Sequence, residues 1–232
     1  MRQIVLDTET TGLNARLGDR IVEIGCIELN SRRVGEQRFH HYLNPERAID
    51  EGAARVHGLT LEFLSDKPKF AQIAQAFIEF VQGAEVLIHN AAFDVEFLDC
   101  ELKLVGLPPL ATHVACVTDT LALARERHPG KRNSLDALCE RYAIENAHRT
   151  LHGALLDAAL LAEVYLAMTR GQESLISAER ETTAEHTEGA TQIDATGLEI
   201  IYADAQELAE HERLLKGIDK DSKGQTVWRT LT

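Results

Sequence analysis

Two acidic residues stand two positions apart at the end of an apolar run near the N-terminus. Asp7 and Glu9 follow residues 3–6 in the sequence Q-I-V-L-D-T-E. If this run is a strand, its alternation turns both carboxylates to one face of the sheet and Thr8 to the other. Two carboxylates held this close repel one another, and a pair of divalent ions relieves that repulsion. Solvated acids at a strand end are the simpler interpretation, and the pair alone does not decide between the two.

A second acid follows a short strand pattern at residues 85–89. The segment H-N-A-A-F-D covers residues 89–94 and opens a helical pattern. We expect the Asn90 side chain to cap this helix, which places Asp94 in its first turn. An acid at that position often serves only the helix dipole, so Asp94 by itself is a weak indication of chemistry.

The third segment, H-G-A-L-L-D, covers residues 152–157. Residues five apart on an α-helix point about 140° apart, so His152 and Asp157 would not share a helix face. We therefore predict that His152 lies on the turn before a helix and that Asp157 lies inside it. Leucines and alanines surround Asp157, and a buried acid there needs a partner such as a metal ion. A single solvent-facing stripe is the alternative.

The elements that must position these residues form an α/β pattern. Three strands joined by tight turns, at residues 3–7, 20–29 and 37–43, predict an antiparallel meander. Strands and helices alternate after it, with strands at residues 85–89 and 113–117 and helices at residues 70–81, 92–105, 134–142 and 154–168. The prediction is a mixed sheet with helices on its faces.

The net charge of the chain limits the classes of function that it can have. Its 232 residues carry a net charge of −13, and 44% of them are hydrophobic. A protein this acidic repels a polyanion, which excludes a protein that coats nucleic acid, although metal ions can still neutralise a phosphate locally. No apolar run approaches the roughly 20 residues of a membrane helix. No leader pattern precedes the first strand, so we expect a cytoplasmic protein.

The composition changes near residue 171. Residues 177–197 are mostly Ser, Thr, Glu, Ala and Gly, which is typical of a flexible linker. Apolar residues return at residue 198, and Asp204 and Glu207 have the spacing of a capping box. We predict a catalytic domain at 1–171, a linker at 172–197 and a docking tail at 198–232. A frayed tail is the alternative for the last segment.

The three acidic segments occur in order, and together they resemble the motifs of the DEDDh exonuclease family. The first is D-T-E-T-T-G at residues 7–12, and the others are the two segments described above. Residues 130–138 and 149–152 narrow the resemblance to the proofreading subunits of bacterial replicative DNA polymerases. The resemblance implies a ribonuclease-H-like fold with a mixed five-stranded sheet flanked by helices. It also implies 3′→5′ hydrolysis of a DNA primer end that releases nucleoside 5′-monophosphates.

The resemblance also implies roles for single residues. His152 would be the general base. Two Mg²⁺ or Mn²⁺ ions would be held by Asp7, Glu9, Asp94 and Asp157. Substrate contacts would come from Asp7, Thr8, Glu9, His57, Phe93 and Asp157. His57 is alternatively a loop residue without a role, and Phe93 either stacks on a base or belongs to the core.

The tail resembles a segment that binds partners. Gln172 and Leu175 stand in Q-E-S-L-I, which is similar to a sliding-clamp-binding peptide, and Trp228 is near the end of the docking tail. Residues 198–232 would dock on the catalytic subunit of the polymerase, and a small accessory subunit remains an open question. Two other functions stay open at this point, namely an RNA exonuclease of the same fold and a non-catalytic binding module.

Overall fold

A five-stranded mixed sheet organises the N-terminal part of the chain in this computed structural model. The structure describes residues 2–146, 151–170 and 203–222. The strands lie in the order β3-β2-β1-β4-β5. Among the residues described, no helix combines the length and apolar character needed to cross a membrane.

The first three strands form the predicted antiparallel meander. They are β1 (Arg2–Thr10), β2 (Ile21–Asn30) and β3 (Arg33–Tyr42). β1 is longer than predicted and continues past both acids, because it stays paired with β2 up to Thr10. Asp7 and Glu9 therefore belong to the strand itself, which gives their side chains a fixed direction.

The other two strands run parallel to β1. β4 (Glu85–Ile88) pairs with β1, and β5 (Cys116–Asp119) pairs with β4. β5 begins later than the predicted strand at 113–117, because Leu110–Thr112 forms a 3₁₀ turn before it. The carboxyl ends of three parallel strands meet at one edge of such a sheet, which is where α/β proteins usually bind ligands.

Seven helices are described in this part of the chain. The pattern predicted four of them, with small differences in their ends: α3 (Phe70–Val81), α4 (Ala91–Leu104), α6 (Leu135–Tyr142) and α7 (Ala154–Met168). The other three were not predicted: α1 (Glu51–His57), α2 (Leu61–Leu64) and α5 (Thr120–Arg127). The sequence of α5, T-L-A-L-A-R-E-R, has no apolar stripe of helical period, so its pattern gave no signal.

The sheet separates two apolar cores. Ile4 and Leu6 of β1 pack with residues of α3 and α4, whereas Val5 packs with residues of α6 and α7. This alternation shows which face each later residue of β1 takes. Asp7 and Glu9 share the face of Val5 and α7, and Thr8 shares the face of Leu6 and α4.

α7 lies unusually close to the sheet at its N-terminal end. A Cβ atom added at Gly25 of β2 would stand 2.2 Å from the backbone nitrogen of Leu155. Only glycine permits this approach. The first turn of α7 is therefore held directly against β2, whose Gly25 is paired with Asp7 of β1.

The C-terminal unit, residues 183–232, is described between residues 203 and 222. It contains α8 (Ala205–Asp221), which begins at Asp204. The Asp204 carboxylate accepts hydrogen bonds from the backbone nitrogens of Gln206 and Glu207, and Glu207 accepts one in return from the Asp204 backbone. The predicted capping box is confirmed. Three large apolar side chains on α8 are exposed: Leu208, Leu214 and Ile218.

Candidate active site

A pocket of about 720 Å³ lies where β1, β4, α4 and α7 meet. The acidic residues predicted for chemistry all line it, together with the predicted base: Asp7, Glu9, Asp94, Asp157 and His152. Three segments separated by tens of residues along the chain thus reach one cavity. Thr8 and Phe93 also line this pocket.

Asp94 is buried in the first turn of α4, with 3% of its surface exposed. The Thr8 hydroxyl donates a hydrogen bond of 2.7 Å to Asp94 Oδ1 on the α4 side of the sheet. Burial raises the pKa of Asp94 to about 7, although the bond from Thr8 acts in the opposite direction. An ionised carboxylate in this position needs a compensating positive charge.

The turn before α4 differs from the expected helix cap. Asn90 adopts a left-handed conformation with φ of 71°, and its side chain makes no capping hydrogen bond, so that expectation was wrong. Its backbone nitrogen instead donates to Asp119 Oδ1 at 3.2 Å. Asp119 also accepts from two backbone nitrogens at the start of α5 and is therefore the cap of that helix. The turn thus links the end of β4 to the end of β5.

His152 and Asp157 take the positions predicted for them. His152 lies on the turn before α7, and its backbone nitrogen donates to the carbonyl of Val56 at 3.1 Å. Asp157 is 3% exposed, which excludes the solvent-facing alternative. His152 Nδ1 stands 3.2 Å from Asp157 Oδ2, while the His152 side chain is 44% exposed. The imidazole therefore contacts a buried acid on one side and is open to solvent on another.

The donor atoms of the site suit a divalent ion. One ligand atom from each of Glu9, His152 and Asp157 lies within 4.8 Å of the others. Asp7 and Asp94 line the same pocket, so its described walls are rich in oxygen donors. Carboxylate oxygens are the ligands that hard cations such as Mg²⁺ and Mn²⁺ prefer. The residues present therefore fit a divalent metal centre.

His57 is placed apart from the lining of this pocket. It ends α1, is 4% exposed, and its Nδ1 accepts a hydrogen bond from the backbone nitrogen of Leu59 at 3.0 Å. Its Nε2 is buried and makes no hydrogen bond within the described residues. Burial lowers the pKa of His57, which favours the neutral ring. Because Nδ1 is an acceptor, the hydrogen of the neutral ring is on Nε2.

Phe93 lies at the boundary between the apolar core and the pocket. Its ring centroid lies 4.9 Å from that of Phe97, which is fully buried in the core. Phe93 itself is half-buried and borders the pocket. A rigid apolar surface is thus presented to whatever enters the pocket.

Sequence reasoning missed a second group of residues in the pocket lining. This group comes from α5 and the segment after it, and it includes Arg125, Lys131 and Asn133. The motif G-K-R-N-S-L-D was noted only as a mark of resemblance, and α5 was not predicted. The available signal was the cluster of four basic residues between positions 125 and 132 in an otherwise acidic chain.

Gly12, the last residue of the first motif, lies against two acidic side chains. A Cβ atom there would stand 2.5 Å from Asp19 Oδ2 and 2.7 Å from Asp50 Oδ2. Gly12 therefore makes room for two neighbouring side chains, and it is not part of the pocket lining described.

The predicted partner-binding residues Gln172, Leu175 and Trp228 lie outside the described residues, as does the linker at 172–197.

Comparisons with known proteins agree with this geometry. The model of the exonuclease family RNase_T matches residues 4–165. DNA polymerase III subunit epsilon of Escherichia coli (strain K12) is 50% identical over 237 residues, which cover 98% of this chain and 97% of that protein. The subunit of the same name from Pasteurella multocida (strain Pm70) is 48% identical over 236 residues, covering 98% of this chain and 93% of the relative.

A solved structure supports the fold. The zinc-bound complex of E. coli exonuclease I with single-stranded DNA matches with a TM-score of 0.67 at 21% identity, over 78% of this chain and 43% of that one. At this identity the likeness concerns the fold alone. The near-complete match to these relatives and the exonuclease model across residues 4–165 lead to one conclusion: the chain belongs to the DNA polymerase III subunit epsilon family of exonucleases.

Proposed function

We propose that this chain hydrolyses the 3′-terminal nucleotide of a DNA primer in the pocket lined by Asp7, Glu9, Asp94, His152 and Asp157. Membership of the epsilon family makes it a 3′→5′ exonuclease with a proofreading function in replication. The proposal assigns that reaction to named side chains. The observation that carries it is the convergence of Glu9, His152 and Asp157, whose ligand atoms lie within 4.8 Å of one another.

Asp7, Glu9, Asp94 and Asp157 are proposed to hold two divalent ions, Mg²⁺ or Mn²⁺. Exonucleases of this family depend on divalent metal. Bound ions would lower the pKa of the attacking water and stabilise the leaving 3′ oxygen. The strand direction of β1 fixes Asp7 and Glu9 on one face, and burial in α4 and α7 holds Asp94 and Asp157 in place. The product is a nucleoside 5′-monophosphate.

His152 is proposed to take the proton from the attacking water. Its ring is partly exposed, so water reaches it, and Asp157 at 3.2 Å restrains its orientation. The hydrogen bond from its backbone to Val56 ties the turn that carries it to the end of α1. A histidine restrained in this way is a suitable general base at neutral pH.

The substrate contacts are proposed to involve the residues that border the pocket and His57. Thr8 and Phe93 line the pocket beside the acids, so a terminal base can lie against the ring of Phe93. The buried Nε2 of His57 makes no well-aligned hydrogen bond within the described residues, although the Thr10 backbone is near enough to raise the pKa of the ring. An oxygen of the terminal nucleotide would provide a better-aligned partner.

The chain is proposed to work on the polymerase rather than alone. Family membership implies a DNA substrate and polymerase partners. We assign binding of the DNA polymerase III catalytic subunit to residues 198–232, including Trp228, and clamp binding to Gln172 and Leu175. Tethering raises the concentration of the nuclease at the primer end without any contact between the acidic tail and DNA. The reaction then takes place in the bacterial cytoplasm.

The proposal is tested by primer-end hydrolysis on matched and mismatched DNA and on RNA of equal length. We expect hydrolysis with Mg²⁺ or Mn²⁺, none with EDTA, and faster removal of the mismatched nucleotide. Asp7→Ala and Asp157→Ala should each abolish activity while circular dichroism shows a folded chain. A strong preference for RNA, or full activity of either variant, would overturn the proposal.

His152→Ala tests the general base separately. We expect the rate constant kcat to fall roughly 10²-fold and the acid limb of the pH–rate profile to flatten, because a proton acceptor is lost. The measurement is single-turnover hydrolysis of a single-stranded oligonucleotide between pH 5.5 and 9. An unchanged profile would assign the proton transfer to another group.

A further inference from the structure

The pocket has basic residues at its border that the proposed chemistry does not use. Arg125 at the end of α5 and Lys131 in the following segment line the pocket, and both are exposed. They are the Lys and Arg residues of its described lining, and we call them the basic rim. The basic rim belongs to elements other than β1, α4 and α7, which carry the acids.

Neighbouring cations make hydrogen bonds or ion pairs, whereas the side chains of the basic rim make none among the described residues. Arg132 pairs with Glu140 at 3.8 Å, and Arg141 donates to Asn133 Oδ1 and to the carbonyl of Arg132. No hydrogen bond or ion pair of the Arg125 or Lys131 side chain occurs within the part of the chain that the structure describes. Both charges thus remain available for an external anion.

The segment that carries Lys131 is held in place by buried groups. Asn133, which is 7% exposed, donates from Nδ2 to the carbonyls of His128 and Lys131 at 3.3 and 3.1 Å. The carbonyl of Asn133 accepts a bond of 2.9 Å from His89 Nε2 at the end of β4. The segment is therefore fixed to the strand that leads into the active site. Such support is what a preorganised binding group requires.

The anion that suits these positions is a phosphate of the substrate strand. The chain has a net charge of −13, so attraction of DNA must come from local groups. The proposed function assigns the scissile phosphate to the acidic side of the pocket and to the ions that these acids would hold. We infer that Arg125 and Lys131 bind phosphates upstream of the scissile bond and so keep the primer strand in the pocket. This inference rests on the proposed function, because it takes a DNA strand as the ligand.

The test uses Arg125→Gln, Lys131→Gln and the double variant in the full-length chain, with Arg132→Gln as the control. Arg132→Gln removes the same charge one position away from Lys131, from a side chain that is not part of the pocket lining. Two substrates are compared. One is a single-stranded oligonucleotide, and the other is the p-nitrophenyl ester of thymidine 5′-monophosphate, which has a single phosphodiester and no upstream phosphate.

For the oligonucleotide, we expect the double variant to raise KM roughly tenfold with little change in kcat. The dependence of log(kcat/KM) on log salt should become shallower by about 0.7 for each phosphate contact removed from a single strand. The loss on the oligonucleotide should exceed the loss on the ester by at least about fivefold. Arg132→Gln should have the same KM and salt dependence as the wild type. The charge-preserving pair Arg125→Lys and Lys131→Arg should bring KM most of the way back to the wild-type value.

Each other outcome has a distinct meaning. An unchanged KM and salt slope in the double variant would overturn the inference. Equal losses on both substrates would overturn it too, because the cations would then act at the scissile phosphate. A wild-type chain that hydrolyses neither substrate with Mg²⁺ or Mn²⁺ would instead refute the proposed function. Thermal melts followed by circular dichroism show that each variant is folded.

Discussion

Among single residues, Asp94 is an acid of the pocket whose burial carries a clear electrostatic cost. It is almost completely buried, and its nearest described partner is the neutral hydroxyl of Thr8. A neutral hydrogen bond offsets only part of the free energy of desolvating a carboxylate. Without a metal ion, burial therefore keeps a substantial share of Asp94 protonated near neutral pH, so binding of the proposed ion there should release protons.

Thr8→Val tests the hydroxyl that orients Asp94. Valine keeps the shape of the side chain but removes the hydrogen bond of 2.7 Å. We expect kcat/KM to fall about tenfold, because loss of such a bond costs about 1–3 kcal/mol. The Mg²⁺ concentration for half-maximal activity should rise. Thr8→Ser, which keeps the hydroxyl, is the control, and equal behaviour of the two variants would exclude this role.

Asp94→Asn should abolish activity yet stabilise the metal-free fold. A buried acid with a pKa raised from 3.8 to about 7 destabilises the folded state progressively as pH rises through that interval. The amide carries no charge and still accepts the bond from Thr8. In EDTA, the free energy of unfolding of the variant should exceed that of the wild type by roughly 2–4 kcal/mol at pH 8 and by little at pH 4. Urea denaturation at both pH values measures the difference, and equal stability at pH 8 would contradict it.

Among the elements, α7 is the one whose exact position matters most to the pocket. It supplies Asp157, it follows directly on His152, and its first turn touches β2 at Gly25. Any side chain at Gly25 would have to displace backbone atoms of α7. Close packing in protein interiors leaves no space to absorb such a shift.

Gly25→Ala therefore should reduce kcat by 10²-fold or more, because a displacement of about 1 Å in a catalytic group has an effect of that order. The control is Gly52→Ala in α1, where an added Cβ meets nothing within 4 Å. We expect the control to keep wild-type activity and stability. Kinetics and thermal melts of the two variants provide the comparison. A fully active Gly25→Ala would show that α7 tolerates displacement.

Local patterns predicted α7 and the place of His152 on its preceding turn, because both follow from helical periodicity. They did not predict the bond from Thr8 to Asp94, which joins residues 86 positions apart. Sequence periodicity fixed only the face on which Thr8 lies. α5 was missed for a related reason: its start is determined by the Asp119 cap and by contacts with β4, and neither leaves an apolar period in the sequence.

At the scale of the whole molecule, the tail has a higher density of negative charge than the rest of the chain. The 60 residues from 173 onward contain 13 acidic and 6 basic residues, a net charge of −7, which leaves −6 for the first 172. Such a tail has no electrostatic attraction for DNA. The exposed leucines of α8 and its confirmed capping box instead suit docking on a protein partner.

Truncation after Gly171 tests this division of labour. The sheet, both apolar cores and the pocket residues described all precede that position. We expect hydrolysis of a single-stranded oligonucleotide within about twofold of the full-length rate. Binding to the polymerase catalytic subunit, measured by surface plasmon resonance, should be lost. If the truncated chain still binds that subunit, the docking segment has been assigned to the wrong part of the chain.

The central position of β1 has a consequence for how the nuclease is made. β1 leaves the ribosome before the other strands of its sheet, yet its neighbours include β4 at residues 85–88, and α7 at residues 154–168 covers its acidic face. Domains fold as units during synthesis, so this one is completed only when α7 has emerged. A nascent chain therefore acquires its nuclease activity only after residue 168 has emerged, shortly before the segment proposed to bring it to the polymerase is synthesised.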